Sequence, residues 1–372
     1  MARTIVGVND PKAVQRFAGV MAVDVGRTSY FNKKFMGVGE AAQTPIQQLM
    51  HLENDAGDTI SYDLVMQLRM QPVEGDKTLR GKEEDLKFYT DKITIDQMRG
   101  GVNTGGKMTR KRTLNDLRAL ARKRQTEWWA RVFDELFFMY LSGARGINGD
   151  YTFPTTYTGF AGNSLVAPDD QHLMYGGSAM SKGSLTTADK FDLKLIDRVV
   201  ARASTMGGGT SGIPAIEPCM IEGEEHYVCV MHPWQEYDLR TNTSNGQWID
   251  LQKAAAAAEG RNNPIFKGNM GMHNDVVLHK HKAVIRFNDY GAGSDVTAAR
   301  ALVMGRQAAV VAFGSAGTGL RFDWTEETED RGNQVVITTS SIFGVKKTAF
   351  TIDGVSRDFG LIVTDTAVAD PG

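Results

Sequence analysis

Cysteine is nearly absent: Cys219 and Cys229 are the two in 372 residues. Two cysteines build no disulfide framework, so the fold must be held by its core. Flanking an expected strand, they read as free and buried, as a reducing cytoplasm allows. Long apolar runs are absent too. No stretch approaches the ~18 apolar residues that cross a membrane, and Met1–Asp10 lacks the apolar core of a signal peptide. There is no basic excess. A formal net charge of −2 and a pI near 6.4 argue against a dedicated nucleic-acid binder, whose domain is usually basic. No internal repeat or low-complexity tract occurs. What remains is a soluble chain, 41% hydrophobic and 23% charged, long enough for about two domains. Its 40 glycines announce many turns.

Signatures of chemistry are also missing. Gly101–Met108 reads GVNTGGKM and matches the GxxxxGK of a phosphate loop. Met108 stands where a Ser or Thr hydroxyl must hold Mg²⁺, so the match fails. Gly100, Gly101, Gly105 and Gly106 read instead as a hinge between two elements. His226, Cys229 and His232 are spaced HxxCxxH, but no paired CxxC supports a zinc site. His279 and His281 alternate with Lys280 and Lys282, as on a solvated edge. Gly314, Gly317 and Gly319 follow an expected helix rather than a strand, so they make no dinucleotide turn. No GxSxG elbow exists. Asp323, Glu326, Glu327, Glu329 and Asp330 lack the glycine of a calcium loop and read as a solvated acidic turn. No catalytic residue, cofactor or metal is expected, and the chain does not read as an enzyme.

What is present is a long charged arm running into a long helix. From Gly57 to Arg99, Ile60, Tyr62, Leu64, Met66, Leu68 and Met70 share one face of a strand. Leu86, Phe88, Ile93 and Ile95 mark the return strand, with Lys87, Thr94 and Asp96 opposite. Each strand would reach ~40 Å at roughly 3.3 Å per residue. Six acids and five bases crowd Glu74–Lys92. So polar a hairpin has too little apolar surface to stand alone and needs neighbours to cover it. The tip residues Val73, Glu74, Asp76, Lys77, Arg80, Lys82, Glu83 and Glu84 are the candidate contacts with another subunit.

The helix is expected from Thr109 to a stop at Gly143, about 45 Å of rod at 1.5 Å per residue. Leu114, Leu117, Ala121, Trp128, Val132, Leu136 and Met139 recur at helical spacing, and Phe133, Phe137 and Tyr140 widen the stripe. Leu117, Trp128, Val132 and Leu136 are its candidate core. Its first half is basic, from Lys107 to Arg124.

Elsewhere, Ala13, Phe17, Val20 and Met21 suggest a short amphipathic helix, followed by the aromatic cluster Tyr30, Phe31, Phe35 and Met36. Ala144–Thr186 reads as a polar surface excursion. Thr187–Met206 reads as a helix capped by Thr187, and Asp250–Glu259 as a helix by propensity. Tyr227–Met231 reads as a strand ended by Pro233. Val276–His279 and Ala283–Phe287 read as a hairpin or meander. Thr297–Phe313 reads as a buried apolar helix, and Gln334–Ser341 and Gly360–Thr364 as late strands.

The ordered series GDTI, VEGD, ITIDQ, GGKM and the long helix resembles the major capsid proteins of tailed bacteriophages, especially the family typified by coliphage N-four. NSLVAP (Asn163–Pro168), VMHPWQEYDLR (Val230–Arg240), IFKGNMGMHNDVVLHKH (Ile265–His281), RALVMGRQAAVVAFG (Arg300–Gly314), SIFGVKKTAF (Ser341–Phe350) and DFGLIVTDTA (Asp358–Ala367) continue it. The resemblance spans residues 30–367. It implies an α+β fold, the tailed-phage capsid fold shared with the floor domain of herpesvirus capsid proteins. In that fold residues 1–56 would be an N-terminal arm and 57–107 an extended loop. Residues 108–143 would be the spine helix of a peripheral domain, 144–320 a surface excursion and axial domain, and 321–372 return strands of the peripheral domain. The implied function is a head shell of pentamers and hexamers around double-stranded DNA, assembled in the host cytoplasm. Partners would be the chain itself, scaffolding and portal proteins, and a possible decoration protein, with no membrane. The alternative is a nucleic-acid-binding protein using the basic start of the long helix.

Overall fold

A computed structural model of the chain describes residues 11–39, 42–50, 57–65, 72–85, 87–113, 116–207, 213–221, 223–242, 271–315 and 320–372. Its helices are α1 (Pro11–Thr28), α2 (Tyr30–Lys34), α3 (Lys107–Arg112), α4 (Leu117–Ser142), α5 (Leu193–Thr205) and α6 (Pro233–Thr241). The first strands are β1 (Met36–Val38), β2 (Ile46–Leu49), β3 (Thr59–Val65), β4 (Phe88–Thr94) and β5 (Asp96–Asn103). Then come β6 (Gly159–Phe160), β7 (Asn163–Ser164), β8 (Leu173–Tyr175), β9 (Cys219–Ile221), β10 (Glu224–Met231), β11 (Gly271–His273) and β12 (Val276–Lys280). The last are β13 (Arg286–Tyr290), β14 (Val296–Met304), β15 (Ala309–Gly314), β16 (Phe322–Glu329), β17 (Gln334–Lys347), β18 (Ala349–Ile352), β19 (Val355–Asp358) and β20 (Leu361–Ala367).

Two large sheets organise the molecule. A six-stranded sheet runs β1-β2-β15-β17-β16, with β5 also on β17. An eight-stranded sheet runs β11-β12-β10-β14-β20-β8, with β13 on β14 and β9 on β10. Strand β17 is the axis of the first sheet: its 14 residues pair antiparallel with β15, β5 and β16. Central strands β10, β14 and β20 are buried through most of their length, which explains their near-continuous apolar runs.

Helix α4 spans the six-stranded sheet. It starts at Asp116, whose Oδ1 accepts from the Arg118 and Ala119 N–H groups, and it stops at Gly143 in the left-handed region, φ 68°. The expected single rod is therefore broken: Thr113 ends α3, and a new cap begins α4. Its second half, Val132–Ser142, is buried on every side. Within the expected core, Val132 and Leu136 are buried, whereas Leu117 and Trp128 are half-buried. The fully buried tryptophan is the neighbour, Trp129, whose Nε1 donates to Thr339 Oγ1 at 2.8 Å. Its ring packs with Phe133, Phe322 and Phe343.

Several sequence expectations are corrected. Thr297–Phe313 is no helix but strands β14 and β15, which lie in different sheets. The acidic segment after Asp323 is mostly strand β16, with Trp324 and Glu326 turned inward and only its end a turn. Val276–His279 is borne out as β12, but β13 starts at Arg286 and pairs with β14, so the two make no hairpin. Helix α5 begins after Asp192, whose carboxylate accepts from Leu195 N–H, rather than at Thr187. The stretch after Ala144 is not all surface: Arg145, Asn148 and Tyr151 are buried, and β8 joins the eight-stranded sheet. Strand β20 lies in the eight-stranded sheet and β15 in the six-stranded one. Residues 1–56 contribute β1 and β2 as well as helices. The helix expected over Asp250–Glu259 lies outside the described residues.

Candidate assembly surfaces

The arm is anchored at its base and bare at its end. Strands β3 and β4 pair in register from Thr59↔Thr94 to Val65↔Phe88. Alternation puts Ile60, Tyr62 and Ile93 on one face, and that face is buried with Ile95 against Val310, Ala312, Phe350, Ile352 and Phe359. The Tyr62 hydroxyl donates to Asp91 Oδ2 at 2.6 Å, and Lys346 Nζ pairs with the same carboxylate. Asn163 clasps the root of the arm: its carboxamide donates to Thr94 O at 2.7 Å and accepts from Thr94 N–H at 3.1 Å. A glycine at 344 is required here, because a Cβ would stand 2.2 Å from Thr94 O. Asn163 belongs to a motif quoted above, yet nothing in its spacing announced this role.

Beyond Phe88 the described residues of the arm join no buried apolar cluster. From Pro72 to Asp85 every residue is exposed except the half-buried Val73 and Glu84. Glu74, Asp76, Lys77, Arg80, Lys82 and Glu83 are all exposed, as are the apolar Leu79 (54%) and Phe88 (59%). The bonds that shape this end are local: Glu83 Oε2 accepts from Gly81 N–H at 2.6 Å and Lys82 N–H at 3.0 Å. The expected ~40 Å ladder is seven residues per strand among the described residues.

The four glycines of the expected hinge divide into two pairs. Gly100 and Gly101 lie inside β5, bonded across to Thr339 and Thr338. A Cβ on Gly100 would stand 2.6 Å from the Trp128 ring, so this glycine serves close packing rather than freedom. Gly105, at φ 76°, and Gly106, the N-cap of α3, lie outside the ladder.

The N-terminal segment is tied to α4 by one buried carboxylate. Asp134 Oδ1 accepts from Ser29 Oγ at 2.7 Å and Phe31 N–H at 3.2 Å, and Oδ2 from Tyr30 N–H at 2.9 Å. Burial pushes its carboxyl up to about 6 against those three donors. The expected aromatic cluster forms here, with Phe31 against Phe137 and Phe138. A second polar node joins α4 to the eight-stranded sheet. Arg300 donates to Asp365 Oδ1 and Oδ2 at 2.7 Å each, and its Nη1 caps the helix at Ser142 O, also 2.7 Å. Tyr290 completes it, donating to Asp365 at 2.6 Å.

The remaining candidate ligands are used by the fold. His226 and Cys229 project from opposite faces of β10, as their odd spacing on a strand dictates. His232 caps α6, accepting from Trp234 N–H. His279 and His281 are not a solvated edge. His279 is 1% exposed, and His281 stacks on Phe138 at 5.0 Å, where burial lowers its pKa to about 4. Cys219 and Cys229 are free and buried, as expected. Among the described residues no group of three or more His, Cys, Asp or Glu is placed to hold a metal ion. Among the described residues no helix is long and apolar enough to cross a membrane.

Comparison with known proteins agrees with this anatomy. A sequence profile of the phage capsid protein family matches residues 5–370. The chain is 25% identical over 365 residues to the major capsid protein of Pseudomonas phage KPP25, covering 90% of each. It is similar to the capsid of Ralstonia phage GP4 at 50% identity and a TM-score of 0.85, covering 100% of both chains. The capsid asymmetric unit of cyanophage Pam1 shares the fold, at 22% identity and a TM-score of 0.69 over 92% of this chain and 93% of that one.

Proposed function

Because this chain belongs to the phage capsid protein family, we propose that it is the major capsid protein of a tailed phage, self-assembling into the pentamers and hexamers of an icosahedral head. One observation carries the reading: a well-packed body bears an arm whose base is cemented and whose described end, Pro72–Asp85, is almost wholly exposed. An extension that packs so little on its own subunit is understandable if a neighbouring copy covers it. Val73–Glu84, with both signs of charge and the exposed Leu79, is the contact. Surface ion pairs contribute only ~0–1 kcal/mol each, so the contact depends on repetition around the shell. Double-stranded DNA fills the head without sequence-specific recognition. Scaffolding and portal proteins take part in assembly, a decoration protein is compatible with it, and assembly belongs to the host cytoplasm. The chain works by packing, not by catalysis.

The hinge is proposed at Gly105–Gly106, where β5 has left its ladder and α3 begins. A Gly105→Ala, Gly106→Ala chain is expected to assemble with altered curvature, because the positive φ at residue 105 strains any side chain. Particles of unchanged diameter by microscopy would remove the hinge. The nucleic-acid reading is not favoured: the family matched is that of phage capsid proteins, and the chain carries a net charge of −2.

The test is expression followed by negative-stain microscopy. Wild type is expected to give shells, sheets or capsomer rings. A chain lacking Gln71–Asp85 is expected to give folded free subunits. Normal particles from the deleted chain would sink the intersubunit role of the arm.

A further inference from the structure

The distal end of the six-stranded sheet holds two opposite charges side by side. Helix α3 exposes Lys107, Lys111 and Arg112, with Met108 among them at 60% exposure. Residues 108, 111 and 112 share one helical face at spacings of three and four. Arg110 turns the other way, its Nη2 donating to Asn333 O at 3.1 Å. Beside the helix, the end of strand β16 exposes Glu327 and Glu329, and the turn after it exposes Asp330. Among the described residues no ion pair engages Lys107, Lys111, Arg112, Glu327, Glu329 or Asp330.

The two patches are held at a fixed offset. The Asn333 carboxamide accepts from Lys107 N–H at 3.1 Å and donates to Asp330 Oδ2 at 3.1 Å, so one side chain bridges basic helix and acidic turn. Asp330 and Arg331 both adopt positive φ, 48° and 52°, before Gly332 at 84°. Positive φ is ordinary in a tight antiparallel connection such as this one, and it fixes where the acids stand beside the helix.

We propose that this end of the sheet is a self-complementary contact between copies of the chain. Met108, Lys111 and Arg112 of one copy meet Glu327, Glu329 and Asp330 of the other, and the reverse. A surface carrying both signs side by side at a fixed offset fits a second copy of itself about a two-fold axis. The inference rests on the shell-forming reading and adds to it a second site, remote in sequence from the arm.

Charge reversal tests it. Lys107→Glu with Lys111→Glu and Arg112→Glu leaves only acids at the contact, and shell yield is expected to fall at least tenfold. Glu327→Lys with Glu329→Lys and Asp330→Lys leaves only bases, with the same result. All six changes together restore opposite charges and are expected to restore shells. Thermal melts of the free subunits establish that each variant folds. Wild-type yield from either triple variant would overturn the proposal. So would failure of a folded six-fold variant, which would assign the basic helix to a different anion. If wild type itself forms no shells, the shell reading fails and not this contact alone.

Discussion

At the scale of single residues, the buried charges are the most exposed to test. Asp134 has a folded-state pKa of about 6 against an ordinary 3.8, raised first by burial. Between those values the folded chain binds the extra proton, so stability from this group falls as pH rises through that window. Asp134→Asn is expected to lose one hydrogen bond to the α2 N-terminus and, with it, that slope. Melting temperatures of both chains across pH 4.5–7 check it, and parallel profiles would be the contrary result. Arg300 makes a sharper case. Arg300→Met leaves Asp365 buried without its partner and uncaps Ser142 O, at a cost of roughly 3–5 kcal/mol. Denaturant unfolding measures it. Neither node was legible in the sequence, because nothing in the spacing of Arg300, Asp365 and Asp134 relates them to their partners. Their partners come together only through the sheet pairing. The two cysteines were legible, since scarcity alone decides against disulfides.

At the scale of elements, alternation and capping chemistry read well and continuous apolar runs read badly. The arm's Ile60, Tyr62 and Leu64 alternate because one face is solvated, and the register confirms that face. Thr297–Phe313 gave no alternation because β14 and β15 are buried on both faces, and without it a strand pair and a helix look alike. The tryptophan was misplaced for another reason: Trp128 and Trp129 are adjacent, and which ring is enclosed is decided by the contacts of Trp129 with Thr339, Phe322 and Phe343, far along the chain. The consequence is measurable. Trp129→Ala removes a fully buried ring and its bond to Thr339, and should cost ~3–5 kcal/mol. Trp128→Ala removes a half-buried ring that covers Gly100, and should cost less than half of that. Equal losses in urea titrations would show that α4 presents its faces differently.

At the scale of the whole molecule, stability and assembly are separable quantities. The body holds the apolar clusters of both sheets, whereas the described end of the arm, Pro72–Asp85, contributes to none of them. The N-terminal segment is different in kind: Met21, Val25, Phe31 and Phe35 are fully part of the main cluster, so it is body rather than a loose appendage. Residues 1–56 had offered no strong sheet pattern, because β1 and β2 are short and find their partner β15 far along the chain. A chain cut between Pro72 and Asp85 should therefore melt, as a free subunit, at the same temperature as wild type. Anything that binds only the folded state raises apparent stability by mass action, and neighbouring subunits in a shell are such a ligand. Wild-type particles should thus melt above free wild-type subunits by a margin that grows with protein concentration. The cut chain should show no such margin, since it lacks the surface its neighbours would cover. Differential scanning calorimetry at two concentrations reads both quantities in one experiment. A lowered melting temperature in the free cut subunit would mean that the tip stabilises its own body. The division between cemented base and assembling end would then be drawn in the wrong place.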